Sequence, residues 1–385
     1  MPLTVVIAPD SFKGTLPALQ VAQAIATGWR SVRPDDRLIL IPQADGGEGT
    51  LDAITQAVPA ALRRRVRDVT GPDGRPTRSD WLELPGGVAV VELAQSSGLP
   101  HMGAPDPMHA TTRGLGEVIR HVLDAGAQSL VIGLGGSAST DGGAGALAAL
   151  GLALIDDRGE SITGERAKFT DDREHSTDGG GALIRAVRVD SSALVAAPPG
   201  GVMLLTDVTA PLLGPSGAAT VFGPQKGASP AQVAELEIAL AHYADLLGGD
   251  RTAPGAGAAG GTAFGFATVW GATIEPGADY LARISGLDAA IAGADVLLTG
   301  EGRFDDQSLS GKVVGQLLAK AAASGVLTGV IAGQVTTPSE AWTASLTDLA
   351  QSEEGAMMYP ARGLEIAGAL AARELGSTKA REIGS

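Results

Sequence analysis

The sequence predicts an α/β protein of two domains, one doubly wound and flavodoxin- or Rossmann-like, the other a mixed sheet inserted into it. The chain has 385 residues, too many for one ordinary hydrophobic core. Strand, loop and helix patterns alternate near both ends of the chain, as they do in a parallel α/β layer. Between these ends, short strand-like runs joined by turn residues indicate antiparallel pairs.

The N-terminal segment begins the doubly wound domain. Residues 4–8 are a short apolar run that predicts a buried strand. A helix follows, with Thr15 as its N-cap and Pro17 in its first turn. Residues 37–41 predict the next strand, closed by the loop of residues 42–49. The face of the helix that packs inward is predicted at Leu16, Leu19, Gln23 and Ala26.

The remaining elements determine the predicted boundaries. Antiparallel strands are predicted at residues 63–69, 78–84 and 88–93, a helix at 111–125, and strands at 129–133 and 201–206. The α/β pattern returns with a strand at 295–299, a helix at 313–323 and a strand at 327–332. We therefore predict a discontinuous doubly wound domain, residues 1–60 plus 285–385, and an inserted mixed-sheet domain, residues 61–284.

Composition and charge exclude several classes of protein. The chain has no cysteine, which excludes disulfides, thiolate metal sites and cysteine nucleophiles. A formal net charge of −15 argues against nucleic acid as a partner, so any phosphate site must be a local concentration of Lys, Arg and backbone amides. Neither a signal peptide nor an apolar run of membrane-spanning length is apparent, which predicts a cytoplasmic protein. Homo-oligomer formation is left open.

Acidic side chains recur in the loops that follow the predicted strands. Ligands of α/β domains lie beyond the carboxyl ends of the strands. Phosphoryl transfer uses carboxylates for Mg²⁺, cations for phosphate charge, and glycines that let backbone amides approach. The acidic positions are Asp10, Asp45, Asp141, Asp207 and Glu301 to Asp305, and the lysines beside loop glycines are Lys13, Lys226 and Lys312.

Two other functions are compatible with parts of this pattern. Gly133 to Ala138 matches G-x-G-x-x-A after a strand, with Asp156 about 20 residues on, which would fit an NAD-dependent dehydrogenase of a small hydroxy acid. Residues 255–260 match G-x-G-x-x-G without a preceding strand, and no Walker A motif is present. A non-catalytic hydroxy-acid binding protein is the second alternative.

Taken together and in order, the loop motifs resemble the type I glycerate kinase family, from about residue 5 to residue 333. The motifs are Ala8-Pro9-Asp10-Ser11-Phe12-Lys13-Gly14, residues 44–50 (ADGGEGT), residues 135–145 (GGSASTDGGAG), residues 207–212 (DVTAPL), residues 222–228 (FGPQKGA), residues 254–261 (PGAGAAGG) and residues 299–305 (TGEGRFD). No single motif is specific, but their order is.

The resemblance implies an enzyme that phosphorylates D-glycerate with ATP and Mg²⁺, most readily on the 2-hydroxyl, at a site between its two domains. Two departures from the family pattern are visible. Residues 168–178 are longer and more charged, and within the polar stretch 168–181 we predict a surface loop. Ala210 stands where family members often have Asn before the proline.

The resemblance and the chemistry together predict the site residues. The catalytic set is Asp10, Lys13, Asp207 and Arg303, with Lys13 neutralising phosphoryl charge and Arg303 pairing with the substrate carboxylate. The substrate-binding set is Ser11, Asp45, Glu48, Glu301, Asp305 and Lys312. The nucleotide-binding set is Gly135, Gly136, Ser137, Asp141, Gly142, Gly143 and Lys226. Asp45 and Asp207 are the predicted Mg²⁺ ligands, with orientation of the attacking hydroxyl as their alternative role.

Overall fold

The computed structural model describes residues 1–12, 14–163, 179–309 and 313–384, which divide into two compact units. Unit 1 comprises Met1–Ala44, Asp52–Pro59 and Ala278–Ser385, and unit 2 comprises Asp45–Leu51 and Ala60–Gly277. Residues 45–51, which the sequence grouped with residues 1–60, therefore belong to unit 2. Most of the predicted surface loop at residues 168–181 lies outside the described residues.

The chain begins in unit 1 with the strand, helix and strand that the sequence predicts, β1 (Thr4–Ile7), α1 (Ala18–Val32) and β2 (Arg37–Leu40). A further helix, α2 (Thr50–Ala57), has its first two residues in unit 2 and the rest in unit 1. The predicted cap of α1 is wrong, because Pro17 occupies the N-cap and the hydroxyl of Thr15 donates to the carbonyl of Phe12, 2.8 Å away. The predicted inward face is also wrong in part, because Gln23 is exposed while Ile25 and Trp29 are fully buried.

Unit 2 is built on a six-stranded mixed sheet of order β10-β9-β6-β5-β4-β3. Its elements are β3 (Leu62–Thr70), β4 (Pro76–Leu84), β5 (Val88–Glu92), α3 (Ala94–Ser97), α4 (Arg113–Asp124), β6 (Ser129–Gly133), α5 (Ala144–Ala149), β7 (Ala153–Ile155), β8 (Arg188–Asp190), β9 (Val202–Leu205), α6 (Ala218–Phe222), α7 (Pro230–Leu247), α8 (Ala258–Trp270) and β10 (Thr273–Glu275). The pairs β3–β4 and β4–β5 are antiparallel, as predicted, and β5, β6, β9 and β10 are parallel.

The chain then completes unit 1 around a five-stranded parallel sheet of order β13-β12-β11-β1-β2. The returning elements are α9 (Gly277–Ser285), α10 (Leu287–Ala292), β11 (Val296–Phe304), α11 (Asp306–Leu309), α12 (Val313–Ala323), β12 (Leu327–Val335), β13 (Trp342–Ser345), α13 (Leu346–Ala350), α14 (Glu353–Met358) and α15 (Pro360–Gly384). One apolar core joins the sheet to α1 and α15, and another joins it to α9, α10 and α12. Helices thus cover both faces, which is the predicted doubly wound arrangement.

Close backbone contact between α1 and α15 explains part of the glycine content of unit 1. A Cβ atom on Gly28 would lie 1.9 Å from the carbonyl oxygen of Glu365, and one on Gly368 would lie 2.3 Å from that of Ile25. Only glycine allows this approach at both positions. Within the described ranges, no helix is both long enough and apolar enough to cross a membrane.

Candidate functional site

The parallel strands of unit 2 end together, and two glycine-rich loops meet at that edge. Glu92 at the end of β5 is in register with Gly133 at the end of β6, and Gly133 is in register with Leu205 at the end of β9. The amide of Gly135 donates to the carbonyl of Gly46, 3.1 Å away. A Cβ atom on Gly46 would lie 2.5 Å from the carbonyl oxygen of Leu205, so this loop rests directly on the strand ends.

Glu92 anchors the loop of residues 45–51. Its side chain is only 1% exposed, and its two carboxylate oxygens accept hydrogen bonds from the amides of Gly49 (3.1 Å) and Leu51 (3.2 Å). A buried carboxylate that receives backbone amides is a strong, orienting contact. Glu92 thereby holds Glu48, a predicted substrate-binding residue, in place. The sequence analysis missed Glu92, although an acidic residue ending an apolar strand was visible.

A pocket of about 410 Å³ opens beside this loop within unit 2. Its lining is Glu48, Gly49, Arg65, Arg78, Asp80, Glu92, Ala94, Gln95, Pro100 and His101. A Cβ atom on Gly136 would lie 3.1 Å from Cβ of Ala94 and 3.2 Å from Cγ of Glu48. Glu48 and Ala94 therefore belong both to the pocket wall and to the surroundings of the loop that follows β6. The pocket and that loop form one continuous site.

Two arginines and three carboxylates line the pocket. Arg65 holds Asp80 with two hydrogen bonds, from Nε at 2.6 Å and from Nη2 at 2.9 Å, and Arg63 lies 3.9 Å from the same carboxylate. The hydrogen bond from Arg65 and the charges of Arg63 and Arg78 lower the pKa of Asp80 below its ordinary value despite burial. The guanidinium of Arg78 is exposed and donates no hydrogen bond to the described residues, although its charge acts on Asp80. Its guanidinium fork is thus available to a carboxylate or phosphate.

Residues 133–145, called the glycine loop below, are organised by a buried aspartate. Asp141 is fully buried, and its Oδ2 accepts hydrogen bonds from the amide (2.9 Å) and hydroxyl (2.7 Å) of Thr112 and from the amide of Gly145 (3.2 Å). Its Oδ1 accepts from the hydroxyl of Ser139 (3.1 Å) and the amide of Gly143 (3.2 Å). The carboxylate is therefore used within unit 2, and direct contact with a nucleotide remains a prediction.

Several donors of the glycine loop are left for a ligand. The backbone amides of Gly136, Ser137 and Thr140 donate to none of the residues that the structure describes. Within the same described part of the chain, the buried hydroxyls of Thr140 and Tyr243 have no hydrogen-bond partner. Buried polar groups are ordinarily satisfied, so such a concentration marks a place where a polar ligand or water is expected. Amides exposed along a glycine-rich loop form the usual cradle for phosphate oxygens.

The second glycine-rich motif supports the glycine loop from behind. The amide of Gly142 donates to the carbonyl of Gly260, 3.0 Å away. At the start of α8, Ala259, Gly260 and Gly261 all have positive φ, and a Cβ atom on Gly260 would lie 2.2 Å from the carbonyl oxygen of Ser139. The motif at residues 254–261 is therefore a packing surface, not a dinucleotide fingerprint.

The structure also disagrees with the interpretation of Gly133 to Ala138 as a dinucleotide-binding fingerprint. The helix that follows begins only at Ala144, beyond the matched residues, whereas the fingerprint turns directly into its helix. Asp156, the predicted ribose ligand of that alternative, instead accepts hydrogen bonds from the amides of Arg158 (3.0 Å) and Glu160 (2.8 Å) in a local turn. The features that favoured a dehydrogenase have other structural roles.

Unit 1 gathers the remaining predicted residues at the carboxyl edge of its own sheet. The amide of Asp10 donates to the carbonyl of Gly300 on β11 (2.8 Å), and the amide of Ser11 donates to the Asp10 carboxylate (2.6 Å). The Nε atom of Arg303 lies 3.6 Å from Oδ2 of Asp305. The Asp305 carboxylate also accepts hydrogen bonds from backbone amides at the start of α11. Asp10, Ser11, Glu301, Arg303 and Asp305 thus share one edge of unit 1. Lys13 and Lys312 lie outside the described residues.

The residues predicted to hold Mg²⁺ are both in unit 2. Asp45 is half-buried and precedes Gly46, which contacts Leu205, and the exposed Asp207 follows Leu205 by two residues. Among the described residues no group of three or more metal-ligating side chains is found. Mg²⁺ is commonly held by one or two carboxylates together with water and substrate phosphates. The oxygen donors of Asp45 and Asp207 fit that mode of binding.

Fold and site together define an α/β protein in which parallel strands end on a glycine loop suited to phosphate, beside a pocket lined by arginines and carboxylates. A family model described as the glycerate kinase family matches residues 5–373. The chain belongs to the glycerate kinase family, as its motifs predicted.

Named relatives are similar along most of their length. The protein named glycerate 2-kinase from Escherichia coli (strain K12) is 40% identical over 320 residues, covering 81% of this chain and 80% of that protein. A glycerate kinase from Bacillus subtilis (strain 168) is 40% identical over 320 residues, covering 80% and 79%. A crystal structure from Salmonella typhimurium LT2, provisionally named glycerate kinase 2, has 34% identity and a TM-score of 0.78, covering 98% of this chain and 100% of that one. The predicted α/β fold is confirmed.

Proposed function

We propose that this protein transfers the γ-phosphoryl group of ATP to D-glycerate and forms 2-phosphoglycerate. Membership of the glycerate kinase family supports glycerate as the substrate and ATP as the co-substrate. The relative from Escherichia coli carries the name glycerate 2-kinase, which favours the 2-hydroxyl as acceptor. The single structural observation that carries the proposal is the glycine loop, with unengaged amides at the strand ends and a pocket lined by arginines and carboxylates alongside.

In this proposal the glycine loop binds the nucleotide phosphates through its backbone. Gly136 and Ser137 present their amides to phosphate oxygens, and Gly135, Gly142 and Gly143 allow the close approach that a side chain would block. Hydrogen bonds from fixed amides stabilise negative charge without reorganisation during the reaction. Asp141 contributes by holding the loop in shape, as its five hydrogen bonds from within unit 2 indicate.

Each unit carries some of the proposed substrate residues. In unit 2, Glu48 accepts a hydrogen bond from a glycerate hydroxyl at the pocket wall. In unit 1, Asp10 orients the attacking hydroxyl, Lys13 neutralises charge on the phosphoryl oxygens, and Arg303 pairs with the glycerate carboxylate. Ser11, Asp45, Glu301, Asp305 and Lys312 complete the proposed substrate-binding set.

Mg²⁺ is the proposed metal, and Asp45 and Asp207 are its proposed protein ligands. When bound with ATP, the ion would neutralise phosphate charge and orient the phosphate chain. The chain's own contribution is to hold the Asp45 carboxylate, whose Oδ1 accepts the amide of Gly47 at 3.0 Å. We also propose that the enzyme is cytoplasmic and acts on a small-molecule substrate.

A coupled assay of ADP release tests the proposal. Purified protein is incubated with ATP and Mg²⁺ and a panel of small hydroxy acids, including D-glycerate, L-glycerate, D-lactate and glycolate. ADP release that requires D-glycerate supports the kinase. Saturable binding of D-glycerate without ADP release would instead identify a hydroxy-acid binding protein and overturn the proposal.

A further inference from the structure

Lys226 lies in an unusual position for a lysine close to a phosphate-type loop. Its side chain is 2% exposed and lies beneath the glycine loop. The ammonium donates hydrogen bonds to the hydroxyl oxygen of Ser137 (2.9 Å) and to the carbonyl oxygen of Ser139 (2.5 Å). Two of the three N–H donors of this ammonium are therefore engaged by the loop itself.

The residues bonded to Lys226 are the same residues that leave donors for a ligand. Ser137 and Ser139 lie within residues 136–140, where the amides of Gly136, Ser137 and Thr140 donate to no described residue and that of Ala138 donates to the carbonyl of Ser97 (3.0 Å). Lys226 adds a hold on the Ser137 side chain and on the Ser139 carbonyl. Because a peptide unit is planar, fixing its carbonyl also fixes the direction of the adjoining amide. The ammonium therefore controls where the amide of Thr140 points.

Burying an ammonium costs free energy, which hydrogen bonds and an opposite charge must offset. A side chain of similar length without N–H groups, such as that of methionine, would fill the same space but could donate to neither acceptor. The only charged group found to act on Lys226 among the described residues is Asp141, which lies on the glycine loop and is itself fully buried. Tyr243, from α7, packs against Gly142 and is neutral because burial raises its pKa. The charge on Lys226 is thus held only by the loop and by Asp141.

We propose that Lys226 is a positioning residue for nucleotide binding: its charged ammonium holds Ser137 and Ser139 so that the amides of the glycine loop converge on phosphate. This inference rests on the proposed kinase function and replaces direct contact between Lys226 and the nucleotide. The cluster of Ser137, Ser139, Asp141, Lys226 and Tyr243 then acts as the buried support of the phosphate site.

Protonation of Lys226 provides a readout that a packing role would not give. Burial lowers the pKa of Lys226 from 10.5 to about 8, and the nearby Asp141 carboxylate offsets only part of that effect. Loss of the proton above that pH removes the positive charge and leaves two weaker, uncharged N–H donors for Ser137 and Ser139. Affinity for ATP should therefore fall as the pH rises through about 8.

The test measures the Kd of Mg-ATP by calorimetry, without glycerate, between pH 6.5 and 9.5, for wild type, Lys226→Met, Lys226→Arg and Lys320→Met. Lys320 is a matched control, since it is a partly exposed lysine of unit 1 paired with Asp288 at 2.7 Å. In wild type and Lys320→Met, Kd should rise about tenfold from pH 8 to 9.5. Lys226→Met should bind weakly at every pH, and Lys226→Arg should lose the pH dependence.

A Kd of wild type that stays constant over this pH range would overturn the proposal, even if the variants failed to fold. Unchanged affinity in a folded Lys226→Met protein would overturn it too. Since no glycerate is present, the outcome is independent of the acceptor. A protein that binds ATP in the expected pH-dependent way but makes no phosphoglycerate would refute the proposed function and leave the role of Lys226 standing.

Discussion

Replacing Gly260 by alanine isolates the contact between the two glycine-rich motifs of unit 2. Gly260 has φ of +65°, and an added Cβ atom would lie 2.2 Å from the carbonyl oxygen of Ser139 and 2.6 Å from Cα of Thr140. Gly271, at the other end of α8, has the same φ of +65° but has nothing within 4 Å of its added Cβ atom. Alanine would be strained by the positive φ at either position, but only alanine at position 260 would also lie too close to the backbone of Ser139 and Thr140.

The free energies of unfolding should separate the two variants. A left-handed conformation costs an alanine about 1 kcal/mol, so Gly271→Ala should lose about that much. Gly260→Ala should lose about 3 kcal/mol, because overpacking against backbone adds about 2 kcal/mol. Equilibrium urea unfolding measures both, with the tryptophan at the end of α8, Trp270, among its fluorescent reporters.

The same pair of variants should also differ in nucleotide binding. Ser139 and Thr140 belong to the glycine loop, so their displacement in Gly260→Ala should weaken Mg-ATP binding at least about tenfold, while Gly271→Ala should bind as wild type does. Equal losses of stability in the two variants, or equal ATP affinities, would refute the view that the second motif supports the glycine loop.

Three further predictions concern single side chains. Lys13→Ala should lower turnover at least about 100-fold in the ADP-release assay without a change in thermal unfolding, since it removes phosphoryl charge neutralisation; near-normal turnover would exclude Lys13 from the mechanism. Glu92→Gln should cost about 2 kcal/mol in urea unfolding and raise the KM for glycerate, because an amide cannot accept both loop hydrogen bonds that the carboxylate accepts; an unchanged KM would separate Glu92 from the substrate site. Burial raises the pKa of Asp36, but hydrogen bonds, led by that from Arg33, lower it overall, so its stabilisation is complete above pH 4 and is lost at lower pH. Between pH 4 and 2.5 the free energy of unfolding should therefore fall less in Asp36→Asn than in wild type. An equally steep fall in the variant would contradict this.

Elements with a strong local signal were predictable. The run at residues 129–133 is apolar and bounded by turn residues, and the structure has β6 at Ser129–Gly133. The helix predicted at residues 313–323 is α12, Val313–Ala323. By contrast, the face of α1 could not be read correctly, because alanines occur all around the helix and periodicity does not distinguish their sides. What determines that face is close contact with α15, a distant helix that the sequence analysis did not predict.

Prediction of the functional site from the sequence has the same limit. The order of the motifs identified the family, and acidic residues after strands indicated where ligands bind. The contacts that shape the site join residues far apart in sequence, such as Glu92 with the amide of Gly49 and Lys226 with Ser137. Such pairs leave no local pattern. For the same reason the hydrogen bonds of Lys226 and Asp141 within unit 2 could not be predicted, and their contact with a nucleotide stays a prediction.

The central claim is that this chain phosphorylates D-glycerate with ATP. Its most direct test is ³¹P and ¹H NMR of the reaction mixture containing the full-length protein, ATP, Mg²⁺ and D-glycerate. The account predicts a new phosphomonoester signal that grows in step with ADP and matches authentic 2-phosphoglycerate. A signal matching 3-phosphoglycerate would contradict the proposed acceptor hydroxyl, and the absence of any phosphoglycerate would contradict the claim itself.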